Sequence, residues 1–116
     1  MHSGFVALRT ECPMNLRRTH GPLAVSQAVM ADVTRIETMW QSCFDDSKHG
    51  GGHFLFDDFS IVDAMYAPVW SRIKTYQLST HPVIDRFGAA LEALPAWHEW
   101  CASAALDQSV VDADEV

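Results

Sequence analysis

The clearest alternation of apolar and polar positions in the chain lies between residues 23 and 46. Apolar side chains recur there every three or four residues, the spacing that places them on one face of a helix. Asp32, Arg35 and Gln41 fall on the opposite face. The pattern predicts an amphipathic helix over 23–46, with its core face formed by Val25, Val29, Val33, Ile36, Trp40 and Phe44.

Two more helices are predicted on either side of it. Residues 2 to about 18 have a helical pattern that Pro13 must end or kink, because proline has no amide hydrogen to donate. A helix from Ser60 to about Gln77 is apolar around most of its circumference, including Met65, so we expect it to be buried. Pro68 lies inside this helix and should bend it without ending it.

Proline also marks the starts of the last two helices. Pro82 and Pro95 suit the first helical position, and the final helix should end near Leu106. Residues 19–22 are predicted to be a linker and 47–58 a loop. The acidic tail, residues 107–116, carries four acids and no base, so we expect it to fray. No stretch alternates with period two for long, and the fold class predicted is all-α, a bundle of about five helices.

Composition narrows the functional classes. The formal net charge of −7 argues against nucleic acid and anionic membranes as partners. The sequence has no apolar run of transmembrane length and no signal-peptide pattern at its start. Cys12, Cys43 and Cys101 are odd in number and far apart, which is typical of reduced cytoplasmic thiols.

Several residues suggest chemistry, but a plainer interpretation is favoured for each. His49 and His53 flank three glycines, and two histidines on such a loop do not make a preorganised metal site, so we expect no metal and a flexible connector. His98 and Glu99 could suggest acid–base chemistry, but the sequence shows no nucleophile or pocket near them. We expect them to lie on a solvent-exposed helix face between packed Trp97 and Trp100. Cys12 ends a helix at its carboxyl side, where a thiol is expected to be inert.

Ser60 and Asp63 predict a helix N-terminus in detail. A Ser followed three residues later by an acid forms a capping box, in which the Ser hydroxyl accepts from the amide of residue 63 and the carboxylate accepts from the amide of Ser60. The carboxylate also favours the positive end of the helix dipole. We therefore assign Ser60 and Asp63 a structural capping role.

In its context, Gly-Gly-His-Phe-Leu-Phe-Asp-Asp-Phe-Ser-Ile-Val-Asp-Ala-Met-Tyr-Ala-Pro-Val, this box resembles the centre of the helical C-terminal domain of glutathione S-transferases. Residues 1–15, 36–40 and 94–100 are similar to the first, second and last helices of that domain in bacterial members. One departure is that Phe59 would meet only Ala64, so the usual hydrophobic staple is weak. The resemblance implies a helical domain over residues 1–106, followed by the acidic tail.

The resemblance also implies that catalysis and substrate binding are divided between two domains. Family enzymes carry a thioredoxin-like domain before the helical one, and that domain binds glutathione, the co-substrate, and holds the catalytic residue. This chain begins inside the predicted first helix, so we expect it to lack that domain, to have no catalytic residue and to be inactive alone. It would supply the hydrophobic-substrate side and the surface of a homodimer.

By helix position within the resemblance, four residues would face the substrate. Arg9 and Arg72 are the candidates to meet a substrate anion, and Phe5 and Val69 would form the apolar wall for a hydrophobic small molecule. An alternative function stays open: a non-enzymatic helical module that binds apolar ligands or a protein partner.

Overall fold

The computed structural model describes residues 4–18 and 21–116, and these form an all-helical structure. The helices in chain order are α1 (Val6–Glu11), α2 (Gln27–Asp45), α3 (Ile61–Thr75), α4 (Pro82–Glu92) and α5 (Pro95–Leu106). A short 3-10 turn follows at Asp112–Asp114. Within the described residues the extended pairing is limited to one isolated bridge, between Phe54 and Asp57. The predicted fold class is confirmed.

The core lies where α2, α3 and α4 meet. Trp40, from the middle of α2, is almost fully buried. Its ring packs edge-on against Tyr66 of α3, with ring centroids 5.4 Å apart. It also packs at a tilt against Phe87 of α4, with ring centroids 4.4 Å apart. Apolar burial of this kind contributes roughly 1.5–3 kcal/mol for each large side chain. The apolar side chains that recur every three or four residues in α2 are therefore the ones that build this core.

Gly88 sets how closely α4 approaches α3. A β-carbon at this position would lie 2.3 Å from Nε1 of Trp70, a distance that real contacts do not reach. Trp70 in turn packs against Trp97 of α5, with centroids 5.4 Å apart. The helix α5 contributes no buried residue, and Trp100 stays 45% exposed, but its ring packs edge-on against Trp97 with centroids 5.5 Å apart, so both tryptophans pack as expected.

The first predicted helix is much shorter than expected. It ends at Glu11, just before Cys12 and Pro13, and residues 13–18 form irregular turns. Side chains of α3 hold this segment: Arg72 Nε donates to the carbonyl of Cys12 at 2.9 Å, and Tyr76 Oη donates to the carbonyl of Pro13 at 2.7 Å. These carbonyls are thereby satisfied without a helix. Residues 2 and 3 lie outside the described part of the chain, as do 19 and 20 of the predicted linker.

The second helix begins four residues later than the pattern suggested, because Ser26 caps it. The amide of Val29 donates to Ser26 Oγ at 3.3 Å, which satisfies one of the free amides at the helix start. Val25 precedes the helix and still packs against the core.

In α3, Pro68 lies inside the helix as predicted, but Met65 is 50% exposed, so this helix is not buried on every side.

Among the described residues, no helix is both long enough and apolar enough to cross a membrane.

Candidate functional site

The four predicted substrate residues belong to α1 with its preceding residue and to α3. These two segments touch through the rings of Phe5 and Tyr66, 6.4 Å apart, and through the bond from Arg72 to Cys12, a contact that we call the α1–α3 seam. Phe5 and Val69 are almost completely buried and belong to one core cluster. The guanidinium of Arg35 lies 4.5 Å above the Phe5 ring, and covers it from the solvent side. The apolar wall therefore exists as interior packing of this chain. Its role in substrate binding stays a prediction.

Arg72 is half-buried in the same seam. Besides the bond to Cys12, it donates from a terminal nitrogen to the carbonyl of Pro68 at 3.3 Å. Burial lowers the pKa of Arg72 from its ordinary value, and the nearby charge of Arg9 lowers it further. An arginine stays protonated in proteins, so two positive charges share this seam and favour an anion there. The charge of Arg9 thus acts on Arg72, and the role of both arginines in meeting a substrate anion stays a prediction.

The capping box forms at the start of α3, and Asp63 is its stronger half. Asp63 has no exposed surface. One carboxylate oxygen accepts from the amide of Ser60 at 2.9 Å and from the Ser60 hydroxyl at 3.1 Å. The Ser60 hydroxyl faces the amide of Asp63 as in a capping box, but that amide donates to the backbone carbonyl of Ser60 at 3.1 Å. The other Asp63 oxygen accepts from the amide of Leu55 at 3.2 Å.

This last bond gives Asp63 a second role that the sequence did not reveal. Leu55 is buried and lies in the loop before α3. Asp63 therefore caps the helix and also fixes the loop against it, which supports the structural assignment and leaves no carboxylate oxygen free for acid–base chemistry.

The loop from 47 to 58 is built around Asp57 instead of being a flexible connector. The Asp57 carboxylate accepts from the amides of Gly50 and Gly52 at 2.7 and 3.0 Å, and these bonds lower its pKa. Gly51 has a φ of +88°, and a β-carbon on Gly52 would lie 2.5 Å from the Asp57 backbone. These glycines thus allow the positive φ and the close backbone approach of this loop, which side chains with a β-carbon would oppose.

His49 is part of the same turn. Its Nε2 lies 2.9 Å from the carbonyl of Phe54, its Nδ1 accepts from the amide of Gly51 at 3.1 Å, and Asp57 lies 3.3 Å from Nδ1. Both ring nitrogens are thus engaged by hydrogen bonds within this loop. Among the described residues, no three histidines, cysteines or acids are grouped as metal ligands would be.

A cavity of about 460 Å³ opens between this loop and the end of α2. It contains one thiol, Cys43, whose pKa is raised by burial and by the negative charges of Asp46 and Asp63. A thiol that resists ionisation is a poor nucleophile. The cavity offers room and apolar surface but no activated group; its lining is Ser42, Cys43, Asp46, Lys48, His49, Leu55, Phe56 and Asp57.

Cys12 is also inert. It is fully buried, and burial raises the pKa of its thiol to about 11, with a further contribution from Glu11. The expectation that Cys12 is unreactive therefore agrees with its environment.

A second cavity, of about 270 Å³, lies where the acidic tail returns to the segment after α1. Asn15 and Arg17 line it from one side, and Asp114 and Glu115 from the other. The predicted fraying of the tail is wrong, because hydrogen bonds from residues 15–18 hold it. The two arginines donate to main-chain oxygens of the tail, a contact that the pattern of side chains does not signal.

Comparison with known proteins gives one family. Residues 24–103 match the family described as "Glutathione S-transferase, C-terminal domain". The match covers well over half of the chain and includes α2 to α4 and most of α5. No curated protein and no solved structure gives a significant match.

Proposed function

Because the chain belongs to the glutathione S-transferase C-terminal domain family, we propose that it forms the helical half of a glutathione-conjugating protein. The family match over residues 24–103 carries this proposal. In this role the chain supplies the hydrophobic-substrate side and the dimer surface. A thioredoxin-like domain binds glutathione as co-substrate and lowers the pKa of its thiol, and the thiolate attacks an electrophile.

The chemistry of the described side chains supports this division. Thiolate activation requires a group that is free to stabilise a negative sulfur. The Asp57 and Asp63 carboxylates are engaged by backbone amides, both nitrogens of His49 are occupied, and the thiol of Cys12 has a pKa of about 11. We therefore propose that residues 1–106 are inactive without a thioredoxin-like domain and that the protein works in the cytoplasm.

The substrate side is proposed at the seam of α1 and α3. Arg9 and Arg72 would meet an anionic group of the substrate, and Phe5 and Val69 would contact its apolar part. Because both apolar side chains are buried, a substrate can reach them only if α1, which is six residues long, moves away from α3.

An exposed apolar surface supports the dimer and domain contacts. Phe56, Phe59, Ile61 and Met65 are between 49% and 78% exposed. Ile61 and Met65 are one turn apart on α3 and share a face. Exposed apolar side chains of this size, close together along the chain, are typical of an interaction surface, because single-chain proteins seldom leave large apolar patches uncovered. We name these four residues the α3 patch.

Sedimentation equilibrium tests the dimer surface. We expect wild-type chain to self-associate at micromolar concentration, and the double variant Ile61→Lys, Met65→Lys to be monomeric. Met30→Lys is the matched control, since Met30 is an exposed methionine on α2. The α3 patch would not be the dimer surface if the wild-type chain were monomeric. The same would follow if the double variant and Met30→Lys associated equally.

A second function is favoured by the same α3 patch. A non-enzymatic helical module would use it to bind apolar ligands or a protein partner and would have no need of glutathione. The two functions differ in one property: only the first predicts conjugation when a thioredoxin-like domain is supplied.

A further inference from the structure

The acidic tail lies on a pair of arginines in the segment after α1. Arg17 donates from its two terminal nitrogens to the backbone oxygens of Asp107 and Ser109, the latter at 2.7 Å. Arg18 donates to the main-chain oxygen of Val116. The side-chain amide of Asn15 donates to the Glu115 carboxylate at 3.2 Å. The tail is thus held at both of its ends.

The tail provides acceptors for only some of the hydrogen-bond donors of these two arginines. Nε of Arg18 is buried and has no hydrogen-bond acceptor. Arg17 is paired with main-chain oxygens, and none of the ion pairs found in the described part of the chain includes either arginine. A guanidinium fork matches a carboxylate in a bidentate geometry. A ligand carboxylate on Arg18 would therefore use a donor that the tail leaves unpaired.

Contacts outside the tail also help to position Arg18. The Arg18 guanidinium lies 5.1 Å from the centre of the Tyr76 ring, which restricts its position. Tyr76 is itself held by its bond to Pro13. Preorganised donors lose less entropy on binding, which favours affinity.

Charge and apolar surface around the tail define what would bind. Arg17 and the tail acids Asp114 and Glu115 line the same cavity, so a negatively charged segment lies beside the arginine. The cavity beside Arg17 also has apolar walls, from Met14, Leu16 and Trp100. A ligand that alternates carboxylates with small apolar side chains fits both features.

We propose that residues 13–18 form a binding groove for acidic peptide segments and that the tail is its displaceable internal occupant. The tail has the matching composition: Val111, Ala113 and Val116 alternate with acids. An external acidic peptide competes with the tail, whose attachment to the chain gives it an effective concentration in the millimolar range. The groove does not depend on glutathione conjugation, so either proposal can fail while the other stands.

Fluorescence anisotropy with a labelled peptide of the tail sequence, residues 107–116, tests the groove on the full-length chain. In the tail-neutral variant (Asp112→Asn, Asp114→Asn, Glu115→Gln) the internal competitor is weakened. We expect the peptide to bind this variant at least about tenfold more tightly than it binds the wild type, because the neutral tail has a lower affinity for the arginines at the same effective concentration. Binding should weaken steeply with salt, since charges at the surface are screened.

Variants of the arginines decide where the peptide binds. Adding Arg17→Gln and Arg18→Gln to the tail-neutral variant should abolish binding, whereas adding Arg86→Gln, an exposed arginine of α4, should not change it. Arg17→Lys keeps the positive charge but loses the two parallel donors of the guanidinium, so it should give intermediate affinity. This milder variant shows whether a loss of binding in the double variant comes from the lost donors or from misfolding. Absent binding in the tail-neutral variant, or binding that survives loss of both arginines, overturns the proposal.

Discussion

Replacement of Asp63 by alanine should be among the most destabilising single changes in this chain. Asp63 is fully buried, and its two oxygens accept from the amides of Leu55 and Ser60. The Asp63→Ala variant leaves both amides without an acceptor. Each of the two unpaired amides costs roughly 1–3 kcal/mol, and the bond to the Ser60 amide is itself the helix cap. The expected total is about 2–6 kcal/mol, a large part of the stability of a small domain.

Urea denaturation measures this loss. With a slope of about 2 kcal/mol per M, the midpoint of Asp63→Ala should fall by about 2 M. Ser60→Ala removes one hydroxyl and should cost about 1 kcal/mol. Asp58→Ala is the matched control, because Asp58 is a neighbouring, exposed acid, and surface changes of this kind usually stay within about 0.5 kcal/mol. If Asp63→Ala lost no more stability than Asp58→Ala, the assigned role of the carboxylate would be wrong.

Three further predictions concern packing, thiol chemistry and pH. Gly88→Ala should cost about 1–3 kcal/mol in thermal or urea melts, because its methyl group overlaps Trp70, and Gly21→Ala, with open space around it, should not destabilise. Cys12, with a thiol pKa of about 11, should resist alkylation in the native chain at pH 8; mass spectrometry showing it labelled as fast as in urea would contradict this. The amide bonds that lower the pKa of Asp57 stabilise the fold fully above the ordinary pKa of 3.8, and this contribution is lost as the pH falls through the lower folded value. Asp57→Asn should therefore flatten the acid side of the stability–pH curve, and an unchanged curve would refute the role of those bonds.

The helices could be predicted from the sequence because local rules determine them. The apolar spacing of α2, the capping box of α3 and the prolines at the starts of α4 and α5 each act within one or two turns. The starts of α3, α4 and α5 were placed within a residue by these signals.

Features that depend on distant contacts were not predicted. Pro13 signalled the end of α1 locally, but the irregular path of residues 13–18 relies on Arg72 and Tyr76, which are about 60 residues away in the chain. The bond from Asp63 to Leu55 has no signal in the periodicity, since it joins a helix to an irregular loop. The same holds for the candidate site, because the burial of Phe5 depends on packing that no local pattern encodes.

A conjugation assay tests the central claim most directly. The chain is incubated with glutathione and a chromogenic electrophile, next to a complete glutathione S-transferase as the positive control. Our account predicts only the background rate for the chain alone, because the chain provides the substrate side and no group that activates the thiol. Turnover above background that is lost when one residue of this chain is substituted would contradict it.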